Sequence, residues 1–164
     1  MESAFSVANY FIKKSLEDKT EMTPMKLIKL VYIANGWYLA LTKHPLFPER
    51  IEAWKYGPVI PSIYHAFKYY YNNQITNLYT DVFDDTPMPE DSDVISFLNK
   101  IWDVYGRYDG LQLSSLTHQK NTPWDIAWNG GGNKKNSVSI DNEIIKKHYM
   151  EKMNSPQTML HVGT

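Results

Sequence analysis

Between Thr23 and Thr42 the sequence TPMKLIKLVYIANGWYLALT places Leu27, Leu30, Val31, Ala34, Trp37, Tyr38 and Leu41 in steps of three and four residues. This is the spacing of one face of an α-helix. Ile28, Tyr32 and Leu39 form a second apolar row, which leaves Lys26, Lys29, Asn35 and Gly36 as the few positions without a large apolar side chain. A helix apolar on so much of its circumference has neighbours on several sides. Thr23 can cap its first free N–H groups, and Pro24 suits the first helical position, where no donor is needed. Lys26 stands where a capping box would have Glu or Gln. The pattern predicts a central buried helix over residues 24–42.

Around it the pattern predicts shorter elements. Ala4, Val7, Ala8, Phe11, Ile12 and Leu16 repeat at helical spacing opposite Lys13, Lys14 and Glu17, so residues 3–16 form a helix packing one stripe inward. Pro45 and Pro48 take the chain out of the central helix. Arg50 to Tyr56 carries β-favouring residues in a broken alternation, a half-buried strand that Gly57-Pro58 ends. A helix restarts at Pro61 with Ile63, Tyr64, Phe67, Tyr70 and Tyr71. From Asn72 to Asp93 the chain is irregular and acidic, a mobile loop with room for a short strand over residues 75–82. A helix capped at Asp91 or Ser92 runs to Tyr105 on Val94, Ile95, Leu98, Ile101 and Trp102.

Short helices follow over Leu111 to His118 and from Thr122-Pro123-Trp124-Asp125 to Trp128, the second stopped by Gly130-Gly131-Gly132. Asn133 to Asn136 reads as an exposed basic turn, and Asp141 caps a last helix bearing Ile144, Ile145 and Tyr149. The expected fold is mainly α with a small β element (α+β), helices packed around the central one. Residues 1–153 form one domain and residues 154–164, with Pro156 and Gly163, a flexible tail.

Composition narrows the function classes. The chain of 164 residues is 43% hydrophobic and 14% aromatic, which excludes global disorder. Seventeen basic against eighteen acidic side chains give a net charge of -1 without a long basic run, which argues against a dedicated nucleic-acid binder. Absence of cysteine removes disulfides, thiolate chemistry and cysteine-bound zinc. No leader pattern and no long apolar run occur, so no membrane insertion is expected and the cytoplasm is the default compartment.

Motifs that carry chemistry are sparse in the chain. The triple glycine lacks the GxxxxGK[ST] spacing of a phosphate loop. Five histidines lie singly, none paired at the i, i+4 spacing of two ligands on one helical face, so neither a metal nor another cofactor is expected. His118 could act as a base in a cleft or tie a short helix to a backbone carbonyl. The aromatic series around Trp54, Tyr56, Tyr64, Tyr69 and Tyr70 has too few interleaved cations for stacking single-stranded nucleic acid. Its rings either pack into the core or form a protein-binding patch, a choice that spacing leaves open.

Three stretches, TPMKLIKLVYIANGWYLAL at 23–41, IEAWKYGPVIPSIYHAF at 51–67 and LSSLTHQKNTPWDIAW at 113–128, followed by the final helix from Asp141, resemble the Panacea domain. This is the phage-associated family of SocA-like antitoxins and GepA-like proteins. The most distinctive motifs are W-x-Y-G-P-V at Trp54 to Val59 and L-T-H-x(4)-P-W at Leu116 to Trp124. The resemblance implies the antitoxin half of a toxin–antitoxin pair, acting by direct binding to a protein toxin encoded nearby, with no catalytic residues to carry over. Candidate partner-binding residues are Trp54, Tyr56, Tyr64, Tyr69, Tyr70, His118 and Trp124. Two alternatives stand beside it: a phage or prophage regulator or proteolytic adaptor that also contacts a protease or other host protein, and an enzyme with a small pocket near His118, Trp124 and Tyr56.

Overall fold

A computed structural model describes residues 1–130 and 138–155. Among them the elements run α1 (Ala4–Asp18), α2 (Pro24–Thr42), β1 (Glu52–Trp54), β2 (Gly57–Val59), α3 (Pro61–Phe67), a 3₁₀ turn (Lys68–Tyr70), α4 (Ser92–Tyr105), α5 (Gly110–Thr117), α6 (Pro123–Gly130), β3 (Val138–Ser139) and α7 (Asn142–Met153). The fold is mainly α with one small antiparallel sheet of order β2-β1-β3. The basic turn at 133–136, the last two residues of the glycine run and all of the expected tail beyond residue 155 lie outside the described residues.

Helix α2 is the axis of the fold, in contact with α1, α3, α4, α5, α7 and β2. Its N-cap forms as the residue order requires: Thr23 is extended and its side chain accepts from the Lys26 N–H, with Pro24 at the head. Leu27, Leu30, Val31, Ala34 and Ala40 have no solvent exposure, and Tyr32, Ile33, Trp37 and Leu39 almost none. Each large side chain so buried contributes on the order of 1.5–3 kcal/mol relative to exposure. The polar positions are enclosed as well. Lys26 donates to the Gly106 carbonyl at 2.5 Å, Lys29 to the Pro58 carbonyl at 2.8 Å, and the Asn35 side chain accepts from the Leu46 N–H at 2.9 Å. These bonds compensate burial that would otherwise be costly.

At Gly36 the missing side chain admits α7. A Cβ there would lie 2.3 Å from Cε2 of Tyr149, a ring set edge-on against both Tyr32 and Trp37.

Several boundaries differ from the sequence-based expectation. Gly57-Pro58 does not end the β element but begins its second strand, pairing Trp54 with Gly57 across the two-residue turn Lys55-Tyr56. Pro58 is compatible because β2 is an edge, where a missing N–H costs no ladder bond. The third strand, Val138–Ser139, is too short to leave a periodicity in the sequence. The helix from Pro61 ends at Phe67, so Tyr70 and Tyr71 lie beyond it, Tyr71 with a positive φ of 55°.

Residues 75–82 form no strand, because their bonding groups are satisfied elsewhere. The Ile75 N–H goes to the Met22 carbonyl, and the Asn9 side chain grips the Tyr79 N–H and the carbonyls of Tyr79 and Pro87. The acidic segment expected to be a free loop is thus pinned to α1, with Tyr79 stacked on Phe5. Leu16 and Leu41, placed by spacing on buried faces, are 43% and 52% exposed. Leu41 sits in the last turn of α2, at the wall of a shallow concavity shared with Phe97 and Lys100.

No helix of the described residues is long and apolar enough to cross a membrane.

Candidate protein-binding site

The hairpin β1–β2 is held at three successive alternate carbonyls by side chains from three helices. Trp124 Nε1 of α6 donates to the Trp54 carbonyl at 2.5 Å, Ser114 Oγ of α5 to the Tyr56 carbonyl at 2.6 Å, and Lys29 Nζ of α2 to the Pro58 carbonyl at 2.8 Å. Gly57 between them has a φ of +116°, a region that side chains rarely adopt, and Lys29 Nζ lies 3.0 Å from where a Cβ would stand. The two sequence motifs are therefore bonded to each other. The bonds run through backbone carbonyls, which gives the glycine, the Lys29 ammonium and the Trp124 indole a structural role independent of any partner.

Lys29 is nearly fully enclosed. Burial pushes its ammonium down to about 7, and no neighbouring carboxylate opposes that shift. Its hydrogen-bond partner is the Pro58 carbonyl.

Around this clamp the structure brings together five of the seven candidate residues. The Trp54 ring is half-buried, donates its indole N–H to Glu52 Oε1 at 3.0 Å and meets Tyr64 edge-on at 4.9 Å between centroids. Trp124 is buried between His118, edge-on at 5.3 Å, and Trp128, stacked at 5.8 Å. His118 Nδ1–H donates to the Ser114 carbonyl one turn back, which leaves Nε2 as the acceptor. Tyr56 projects from the turn, 59% exposed, with Lys55 Nζ 5.4 Å from its ring centroid.

Tyr69 and Tyr70 do not join the cluster. They lie in the 3₁₀ turn past α3, Tyr70 stacked on Phe67 and Tyr69 74% exposed. Trp128, absent from the sequence-based candidates, belongs to the cluster; its position four residues after Trp124 on one helical face was the available signal.

Among the described residues no arrangement for nucleophilic or acid–base chemistry assembles at His118. Its Nδ1 faces a backbone carbonyl and a serine hydroxyl, Ser114 Oγ at 3.4 Å, whose own proton goes to Tyr56. Neither the concavity of about 510 Å³ between α4, α5 and α7 nor the one of about 720 Å³ between α6 and α7 has His118, Trp124 or Tyr56 among its lining residues. Among the described residues no group of three or more His, Asp and Glu side chains converges as metal ligands would.

The hairpin and the side chains that clamp it lie within residues 27–125, the part of the chain that matches the family model described as antitoxin SocA-like, Panacea domain. The chain belongs to the SocA-like Panacea-domain family. Among curated proteins it is similar to the antitoxin SocA of Caulobacter vibrioides (strain NA1000 / CB15N), 30% identical over 153 residues, which covers 89% of this chain and 81% of that relative. No solved structure matches it. The family match begins within α2 and ends within α6, so it contains every contact of the carbonyl clamp.

Proposed function

We propose that this Panacea-domain protein is an antitoxin that neutralises a protein toxin by direct binding, acting in the cytoplasm. The observation that carries the reading is the likeness to the antitoxin SocA over 89% of this chain and 81% of that relative, which is not confined to one motif. A binding role needs a stable surface and no convergent titratable groups, which agrees with the Trp54–Trp124 cluster being a packed corner. Of the residues singled out from the sequence, Tyr56 at the hairpin turn and Tyr69 in the 3₁₀ turn are mostly exposed and are the contacts proposed; Trp54, Tyr64, Tyr70 and His118 are half-buried and Trp124 buried.

Co-expression with the product of the neighbouring gene tests the reading. Growth restored by this chain, together with co-purification of the two proteins, is the expected result. A neighbour that remains toxic and does not co-purify refutes it.

A further inference from the structure

The face of α2 that sequence periodicity assigns to the core is left partly uncovered at its C-terminal end. Trp37, Val104 and Tyr105 line both the concavity of about 510 Å³ and a small one of about 50 Å³. Leu41, Phe97 and Lys100 line the small one and a further concavity of about 440 Å³ toward Asp91 and Asp93. Through these shared residues the three adjoin and together form a groove along α4, from Val94 to Tyr105. At 1.5 Å per residue this is a track of roughly 17 Å, the length of about five residues of extended chain.

The groove has an apolar floor and a polarised rim. Trp37 is enclosed and gives its indole N–H to the Tyr105 hydroxyl at 2.9 Å, so the floor carries no unpaired indole donor, and its accessible apolar surface comes from Leu41 and the half-buried Phe97, Val104 and Tyr105. At the α4 C-terminal end stand Arg107 and Lys152 with no carboxylate in the lining. Among the described residues neither is in an ion pair: Arg107 bonds the adjacent Tyr108 hydroxyl at 3.1 Å and covers its ring, and Lys152 lies 5.7 Å from the Tyr149 centroid. Burial lowers the Lys152 pKa, so an anion brought beside it would gain from a cation that water solvates poorly. At the opposite end Asp91 and Asp93 outnumber the one cation of that lining, Lys100, which stands between the two ends; Asp91 also caps α4, so Asp93 is the freer carboxylate.

We propose that this groove receives an elongated segment of the toxin, apolar along its length, with acidic side chains at the Arg107–Lys152 end and a basic one at the Asp91–Asp93 end. The inference rests on the antitoxin reading and adds the docking track and the orientation of its occupant. Leu41, whose exposure is otherwise unexplained, becomes an anchor contact in the middle of the track. The charge gradient sets which way the segment lies, since the reversed orientation places like charges together at both ends.

The test uses the full chain and the toxic product of the neighbouring gene. Leu41→Glu and Arg107→Glu alter exposed side chains and leave the thermal melt close to wild type. Each is expected to weaken toxin binding about tenfold or more, and Arg107→Gln to reduce the salt dependence of binding. Leu16→Glu, an equally exposed leucine on α1 away from the groove, leaves binding unchanged. If wild type binds the toxin and the groove variants bind it as tightly, the groove proposal is overturned while the antitoxin reading stands. Groove variants that dissociate a homodimer without changing toxin affinity overturn it too, by making the groove a self-interface. If wild type does not bind the toxin at all, the antitoxin reading fails and takes the groove proposal with it.

Discussion

Replacement of Gly36 by alanine tests the central packing directly, because two opposing effects of known size meet at one atom. In the interior of a helix alanine is favoured over glycine by about 1 kcal/mol. Here the added Cβ would stand 2.3, 2.4 and 2.7 Å from Cε2, Cδ2 and Cζ of Tyr149, more than 1 Å inside ordinary carbon contact. The ring has little room to retreat. It is 3% exposed, edge-on to Trp37 at 5.2 Å and to Tyr32 at 6.3 Å, and it carries the contact between α2 and α7. Overpacking of this kind costs about 1–3 kcal/mol, and a displacement beyond 1 Å in a filled core belongs at the upper end. The net expectation for Gly36→Ala is a loss of about 2 kcal/mol, or roughly 4–8 °C in melting temperature for a chain of this size. Circular dichroism melts and urea titration read it.

The decisive measurement is the same substitution in a Tyr149→Ala background. Removing the ring costs about 3–5 kcal/mol by analogy with other aromatic truncations. Gly36→Ala should then stabilise by about 1 kcal/mol, since the propensity gain remains and the clash is gone. A change of sign between the two backgrounds is the signature. If Gly36→Ala stabilises the wild-type protein, or destabilises both backgrounds equally, the account of how α7 docks on α2 is wrong.

Other expectations concern the buried cations and the pinned segment. The Lys29 ammonium, held near 7 in the folded chain against an unfolded value of 10.5, leaves the unfolded state binding more protons between those values, so stability rises with pH across that window. Lys29→Met should flatten the rise between pH 7 and 9.5, and an unchanged slope would place the ammonium in solvent. His148, pushed down to about 4 chiefly by burial and secondly by Lys152, disfavours folding as pH falls from 6.5 toward 4. His148→Gln should retain more of its neutral-pH stability at pH 4.5 than wild type does. Asn9→Ala removes all three bonds that fasten residues 79–87 to α1, at a cost of about 1–3 kcal/mol. Amide exchange at Tyr79 should accelerate, and equal protection in the variant would mean that the Phe5–Tyr79 stack alone holds the segment.

Much of the helical architecture was legible because its signals are local. Thr23, Asp91 and Asp141 act as N-caps where their position before an apolar repeat predicts them, and each side chain accepts from the backbone of the first turn. The family motifs at Trp54 to Val59 and Leu116 to Trp124 were legible as motifs, yet the bonds that join them are not. Ser114 and Lys29 give no sign in the sequence of meeting the carbonyls of Tyr56 and Pro58, since one lies 58 and the other 29 residues away. Asn9 is the same case: nothing in the sequence sets it apart within the first helix, and its side chain fastens a segment 70 residues away. The hairpin was missed at Gly57-Pro58 because a two-residue turn and a three-residue strand are too short for alternation to register.

Helix periodicity, caps and the near-continuous apolar surface of residues 24–42 determined by themselves that one helix is central, because burial of that much apolar surface requires neighbours on several sides. Which neighbours they are, and where they stop, only the tertiary structure decided. Periodicity states that a face is apolar but carries no information about the length or position of the element that covers it. Trp37 and Leu41 share a face of α2, yet one is enclosed by Tyr105 and Tyr149 and the other stands open on the α4 groove, because the covering elements do not extend over the last turn.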